Sequence, residues 1–348
     1  MSAAIVWARR NLFARPIDAV LTLAVGSALA LGAYTGLDWA VLSATWVGNS
    51  RADCNLEGAC WAFVASRAGQ FAYGFYPPAE RWRVDLSFFL LAIGIAALAV
   101  PQVPGKRIVG ALLLFAFPLV ALVLLRGGVP GLAYVATDRW GGLFLTLVLG
   151  VSGIVLSFPI AMLLALGRHC DLAVVRTAST LYIEICRGLP LIAVLFMARI
   201  LLPYALPVGA ELDPLALAVA GIVMFEAAYL AEVFRGGLQS LAKGQYEAAA
   251  AIGFGYWRTT VHVVLPQVVR NVVPGIVNNS IALLKNTTLV VALGLFEILN
   301  IVAAGASDPQ WLGLAAEGYF VAGFVFWTLC FAMSRYSRHV ERGLARGR

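Results

Sequence analysis

Long apolar runs set the strongest limit on what this chain can fold into. They fall at residues 17–37, 86–103, 108–125, 141–167, 188–203, 215–234, 272–295 and 318–334. A helix rising ~1.5 Å per residue needs about 20 residues, within a range of ~17 to 25, to cross ~30 Å of hydrocarbon. Nearly all of the runs meet that length, and the shortest, 188–203, reaches it by extending backwards through Ile183 to Cys186. The expectation is an all-α integral membrane protein with about eight transmembrane helices. Composition agrees: 61% of the 348 residues are hydrophobic and 12% are charged, and the mean hydropathy is +0.87, so most of the chain belongs in lipid.

The charged residues then orient the spans. The first run follows Arg9, Arg10 and Arg15, is longer than a usual signal core and precedes seven more spans, so it reads as a retained anchor. With the N-terminus in the cytoplasm, 17 Lys and Arg fall inside, six fall outside, and Arg199 and Lys285 lie within spans. That asymmetry places both termini on the cytoplasmic side. It also accounts for the net charge of +7, because the basic residues stand singly or in small groups between apolar runs. A nucleic-acid partner is not implied.

The chain divides near residue 136. Residues 1–136 hold three spans and an external loop, 38–85, and residues 137–348 hold five spans and one long inside loop, 235–270. The external loop carries Cys54 and Cys60 six positions apart on the oxidising side, where a small disulfide loop and two free thiols are both open readings. There is no CxxC pair and no Cys/His cluster, which argues against a zinc or thioredoxin-like site. Cys170, Cys186 and Cys330 read as ordinary thiols.

The loop 235–270 is far longer than two neighbouring helices need. Its Ala-rich segment Tyr246 to Ile252 favours a short helix, Gly253 and Gly255 favour a turn that ends it, and Pro266 favours a restart toward the next span. Small residues on such a helix suit docking into a cleft of another protein. The competing reading is an interfacial helix that touches only lipid.

Within this loop, Glu247-Ala248-Ala249, Gly253 and Leu265-Pro266 stand at the spacing of the EAA signature, with Val263 at its Ile position. The chain thereby resembles the permeases of ATP-binding-cassette importers. Ala228-Tyr229, Glu232, Arg235-Gly236-Gly237, Lys243-Gly244-Gln245 and Leu284-Lys285-Asn286-Thr287-Thr288-Leu289 are similar to the polar amino-acid branch, and Arg187-Gly188-Leu189-Pro190 is similar to its RGTP element with Leu at the Thr position. The resemblance covers residues 137–348, and the first three spans look like those of longer permeases for general L-amino acids.

It implies a permease core of five helices with a cytoplasmic coupling helix, in which Gly244, Gln245, Glu247, Ala248, Ala249, Gly253, Leu265 and Pro266 contact the ATPase. It also implies cytoplasmic ATPase subunits, a second permease subunit, homologous or identical, an external or periplasmic solute-binding protein, an amino-acid substrate, and the bacterial inner membrane. The three lysines offer no GxxxxGKS or GxxxxGKT, so this chain binds no cofactor, and ATP and magnesium belong to the partner ATPase. No Ser/His/Asp or Cys/His set is present, so no catalytic residue and no metal ligand is assigned.

Charged groups inside spans call for a role, because each costs ~2.5 to 3.5 kcal/mol to insert. Lys285, beside Asn286, Thr287 and Thr288, is placed to meet a substrate carboxylate in a wet path, or else pairs with a helix carbonyl or an acidic neighbour. Glu226, followed by Tyr229 on the same span, is placed to meet a substrate ammonium, or else pairs with Lys285. Glu232 sits nearer the inner end, in range of Arg235 at i+3, and Arg199 snorkels outward. Two other classes compete. An ATPase-independent secondary transporter has no use for the EAA spacing, and a membrane scaffold has no use for a buried polar set.

Overall fold

The computed structural model describes residues 3–346 except 101, 206 and 208–211. Arg348, counted on the inside, and Met1 lie outside the described residues. The helices in chain order are α1 Ala3–Asn11, α2 Pro16–Leu37, α3 Trp61–Tyr73, α4 Arg81–Ala99, α5 Lys106–Ala111, α6 Phe117–Arg126 and α7 Gly142–His169. They continue with α8 Ala173–Gly188, α9 Leu191–Ala205, α10 Pro214–Gln239, α11 Lys243–Ala251, α12 Tyr256–Thr259, α13 Leu265–Asn286, α14 Ile298–Ala306 and α15 Ala315–Arg346. The fold is all-α and membrane-spanning. Seven helical paths are long and apolar enough to cross a bilayer, and a bent pair supplies the eighth.

That bent pair corrects the shortest run. The apolar stretch 188–203 is not a straight span: α8 and α9 meet at 100°. The cause is local. Leu189 precedes Pro190, and the proline ring disfavours helical backbone in the residue before it, so Leu189 is extended at φ −101°, ψ 139°. The second span is displaced too, running from Arg81 to Ala99 rather than 86–103, because Val100 takes extended backbone before the next proline. Tyr256–Leu293 forms one helical path, so Pro266 does not restart the chain. A wide π-helical turn at Thr260–Val264 absorbs the missing proline N–H.

The chain forms two compact units, residues 1–68 with 306–320 and residues 69–305 with 321–348. In the first unit, α2 is a lipid-type helix with none of its residues buried. The stretch 38–68 carries the start of α3 rather than being loop throughout. Cys54 and Cys60 are joined in a disulfide, and the Cys60 N–H donates to the Glu317 carboxylate at 3.0 Å. Arg67 pairs with Asp308, Arg51 donates to the Leu312 carbonyl, and Trp39, Trp61 and Phe320 meet edge to face. Backbone N–H groups of Asn49 and Ser50 bond the Asp53 carboxylate at 2.8 and 3.0 Å and hold its pKa below the usual carboxylate value.

The second unit is built on α10. Asp213 caps it, accepting from the Leu215 and Ala216 N–H groups at 2.8 and 3.3 Å, and Pro214 opens the first turn. One face of α10 lies on α7 and another on α13. Small residues allow the close approach: a Cβ at Gly153 of α7 would come within 2.9 Å of both Ile222 and Leu283. Two apolar clusters result, one around Leu149, Ile222 and Leu283 and one around Ala161, Ala231 and Val268.

Candidate functional site

The EAA segment forms α11, which begins at Lys243, three residues earlier than its Ala-rich part suggests. Glu247 therefore stands in the second turn rather than the first, where the helix dipole favours it less. The C-terminus closes as a Schellman turn: Phe254 N–H bonds the Ala249 carbonyl at 3.0 Å and Gly253 N–H bonds the Ala250 carbonyl at 2.9 Å. This places Gly253 at φ +81°, whereas Gly255 has φ −75°, which any residue adopts.

The two alanines of the motif differ in exposure. Ala248 is exposed with Gly244 and Glu247, while Ala249 is 3% exposed and serves packing within the chain. Gln245 accepts from the Gln267 side-chain amide at 3.0 Å, and that amide also bonds the Val263 carbonyl at 2.8 Å. Leu265 and Pro266 open α13 beside it. The loop thus presents a short, largely exposed helix, fastened through Gln245 and Ala249.

Beside the C-terminal end of α10 lies an ionic cluster larger than the pair expected from spacing. Glu232 does pair with Arg235, at 2.9 Å, but also with Arg168 at 2.6 Å and Arg187 at 3.6 Å, and Arg168 reaches Glu184 at 3.2 Å. The bend at Leu189–Pro190 leaves Arg187 at the end of α8, with its guanidinium 5.7 Å from the centre of the Tyr229 ring. Three helices, α7, α8 and α10, are therefore tied through one carboxylate.

Glu226 lies at the middle of α10, twelve residues after Pro214 and thirteen before Gln239, and is 2% exposed. Its partner is not Lys285. The side-chain amide of Asn279 on α13 donates to its carboxylate. Tyr229 meets Phe225, one turn away on the same helix, with ring centroids 4.8 Å apart and planes tilted by 36°. Lys285 stands on the last turn of α13 with its side chain exposed.

The polar residues after Lys285 do not line one path together. Thr287 is fully buried and spends its hydroxyl on the Leu284 carbonyl at 2.7 Å, and Thr288 donates to the Lys285 carbonyl at 2.9 Å. Asn286 and Thr288 remain half-buried, and Arg199 is exposed on α9. Reasoning from sequence missed Asn279, Arg187 as a cluster member, and Glu297. Glu297 is fully buried and accepts from the Leu299 and Asn300 N–H groups at 2.9 and 3.0 Å, capping α14. The Asn278-Asn279 pair inside an apolar run was the available signal for the first of these.

The family model described as the binding-protein-dependent transport system inner membrane component matches residues 157–346. The chain belongs to this family. It is 44% identical to the inner membrane amino-acid ABC transporter permease protein YhdY of Escherichia coli, covering 100% of this chain and 95% of that protein. It is 35% identical to the glutamate/glutamine/aspartate/asparagine transport system permease protein BztC of Rhodobacter capsulatus, over 99% and 94% of the two chains.

The probable glutamine permease GlnP of Bacillus subtilis is 31% identical, over 58% of this chain and 91% of its own length. A solved amino acid ABC transporter with histidines shares the fold, with a TM-score of 0.51 at 24% identity over 58% of this chain and 91% of that one. The permease is a multi-pass inner-membrane transport component of an ABC importer and not an enzyme. The stretch matched by the family model begins within α7 and holds α10, α11 and the polar pair. The N-terminal spans are shared with the two long relatives.

Proposed function

We propose that this permease carries amino acids into the cell as one of a pair of permease subunits, homologous or identical, with both termini in the cytoplasm. An external solute-binding protein delivers the substrate, and an ATPase that holds ATP and magnesium docks on α11 through Gly244, Glu247 and Ala248. The observation that carries this reading is α11 itself: a nine-residue helix between two spans, with Gly244, Glu247 and Ala248 exposed, Ala249 packed within the chain and Gln245 tied to Gln267. Nothing in a self-contained transporter requires such a helix, whereas an ATPase on another chain needs a rigid contact to move the spans. The amino-acid cargo is supported by the names of the two long relatives.

Glu226 at mid-span and Lys285 toward the outer end offer both signs of charge to a zwitterion, with Tyr229 and Asn286 nearby in sequence. Proteoliposomes holding the permease, its ATPase and its binding protein should accumulate labelled amino acids only with ATP inside. Uptake by the permease alone, driven by an ion gradient, would overturn the proposal.

A further inference from the structure

One face of α15 changes character along its length without changing direction. Phe324, Trp327 and Phe331 lie on it, exposed by 59, 58 and 47%. Their rings stack in a ladder, with centroids 5.9 and 5.2 Å apart and planes 25° and 15° from parallel. The same face continues at steps of three and four through Arg335, Arg338 and Arg342, with His339 alongside, all exposed. These four side chains line one pocket of ≈ 90 Å³. Among the described residues no carboxylate lies within ion-pair distance of the three arginines. Glu341, on the flank of this face one turn after Arg338, accepts from the Ser337 hydroxyl at 2.9 Å.

We propose that this face is a binding site for an anionic phospholipid, its acyl chains along the aromatic ladder and its phosphate among Arg335, Arg338 and Arg342. The argument is one of depth and continuity. Trp327 precedes Arg335 by eight residues, about 12 Å of helix, which is the distance from mid-chain to headgroup in one leaflet. Exposed aromatics at that depth face hydrocarbon, so the arginines emerging on the same line enter the headgroup layer. Guanidinium groups bond phosphate oxygens in bidentate fashion and stay charged at any working pH. An ATPase surface has no use for the ladder, and a soluble phosphate has no use for it either. The proposal concerns a surface separate from α11 and does not depend on what is transported.

The test reconstitutes the full permease with its ATPase into vesicles containing acyl-brominated phosphatidylglycerol or, at the same mole fraction, acyl-brominated phosphatidylcholine. Bromine quenches tryptophan on contact, and the share due to Trp327 is obtained by difference from Trp327→Phe. Each juxtamembrane arginine favours an anionic surface about fivefold, so quenching of Trp327 should be roughly twofold or more stronger with the anionic lipid. The combined Arg335→Gln, Arg338→Gln, Arg342→Gln variant should bring the two lipids to parity.

Equal quenching of the native protein by both lipids overturns the proposal, whatever the variant does. So does an anionic preference that survives in the variant. Inorganic phosphate, compared with sodium chloride at equal ionic strength, should leave the preference intact, and its abolition by phosphate would assign the pocket to a soluble anion instead. Loss of the ATPase from the variant with quenching unchanged would assign the stripe to that subunit.

Discussion

Gly253→Val isolates backbone geometry from packing at the coupling helix. A Cβ built at Gly253 meets nothing within 4 Å, so steric crowding is not at issue. The whole cost comes from φ +81°, which L-residues reach only at an expense of about 1 to 2 kcal/mol, and a β-branched side chain lies at the upper end. About 2 kcal/mol corresponds to a ~30-fold shift away from the turn that closes α11, because 1.4 kcal/mol is tenfold. Gly255 supplies the control, since it is equally open but has φ −75°.

The expected order of ATPase co-purification and ATP-driven uptake is native, Gly255→Ala, Gly253→Asn, Gly253→Ala, Gly253→Val, with the first two equal. Asn ranks above Ala because it tolerates the left-handed region better. Membrane levels should be the same throughout, because the turn lies outside every span. Full transport by Gly253→Val with the ATPase attached would refute the reasoning. An equal loss in Gly255→Ala would show that small size rather than φ is what matters there.

Other substitutions probe the remaining elements. Glu232→Ala leaves Arg168, Arg187 and Arg235 without their shared carboxylate and should destabilise the α7–α8–α10 junction by about 1 to 3 kcal/mol, read as a lower melting temperature in detergent, with Glu232→Gln intermediate. Cys54→Ser with Cys60→Ser opens a short loop and should cost about 2 kcal/mol, seen as faster proteolysis within residues 43–60 while uptake of the assembled transporter persists. Lys285→Ala should lower uptake with assembly unchanged, since a charge-assisted bond to a carboxylate contributes about 1.5 to 3 kcal/mol; failure to assemble would make the lysine structural. Gly153→Val places a branched side chain against Ile222 and Leu283 and should cost about 1 to 3 kcal/mol, measured in the same melting assay.

Hydropathy finds the spans because transfer from water to lipid accumulates residue by residue, so a window average locates seven of the eight paths without knowledge of their neighbours. The same averaging hides the bend between α8 and α9: Leu189 and Pro190 lie against an apolar run, and the break is a matter of φ and ψ rather than transfer energy. The EAA spacing locates α11, yet only the packed helix distinguishes Ala248, which is exposed, from Ala249, which is buried.

The polar site shows a different limit. Two opposite charges in neighbouring spans, Glu226 and Lys285, invite pairing, and the structure gives Glu226 to Asn279 instead. Register decides this. Gly275 lies against Val233, and Leu283 packs with Ile222 in one apolar cluster, which sets α13 beside α10 so that residue 279 falls level with 226. Lys285 is then six residues farther on, about 9 Å beyond the carboxylate along the helix. A zwitterion moving along these helices would meet the carboxylate and the ammonium at different depths. On the proposed path, the order in which it would release them follows from the small-residue packing between α10 and α13 as much as from the charges themselves.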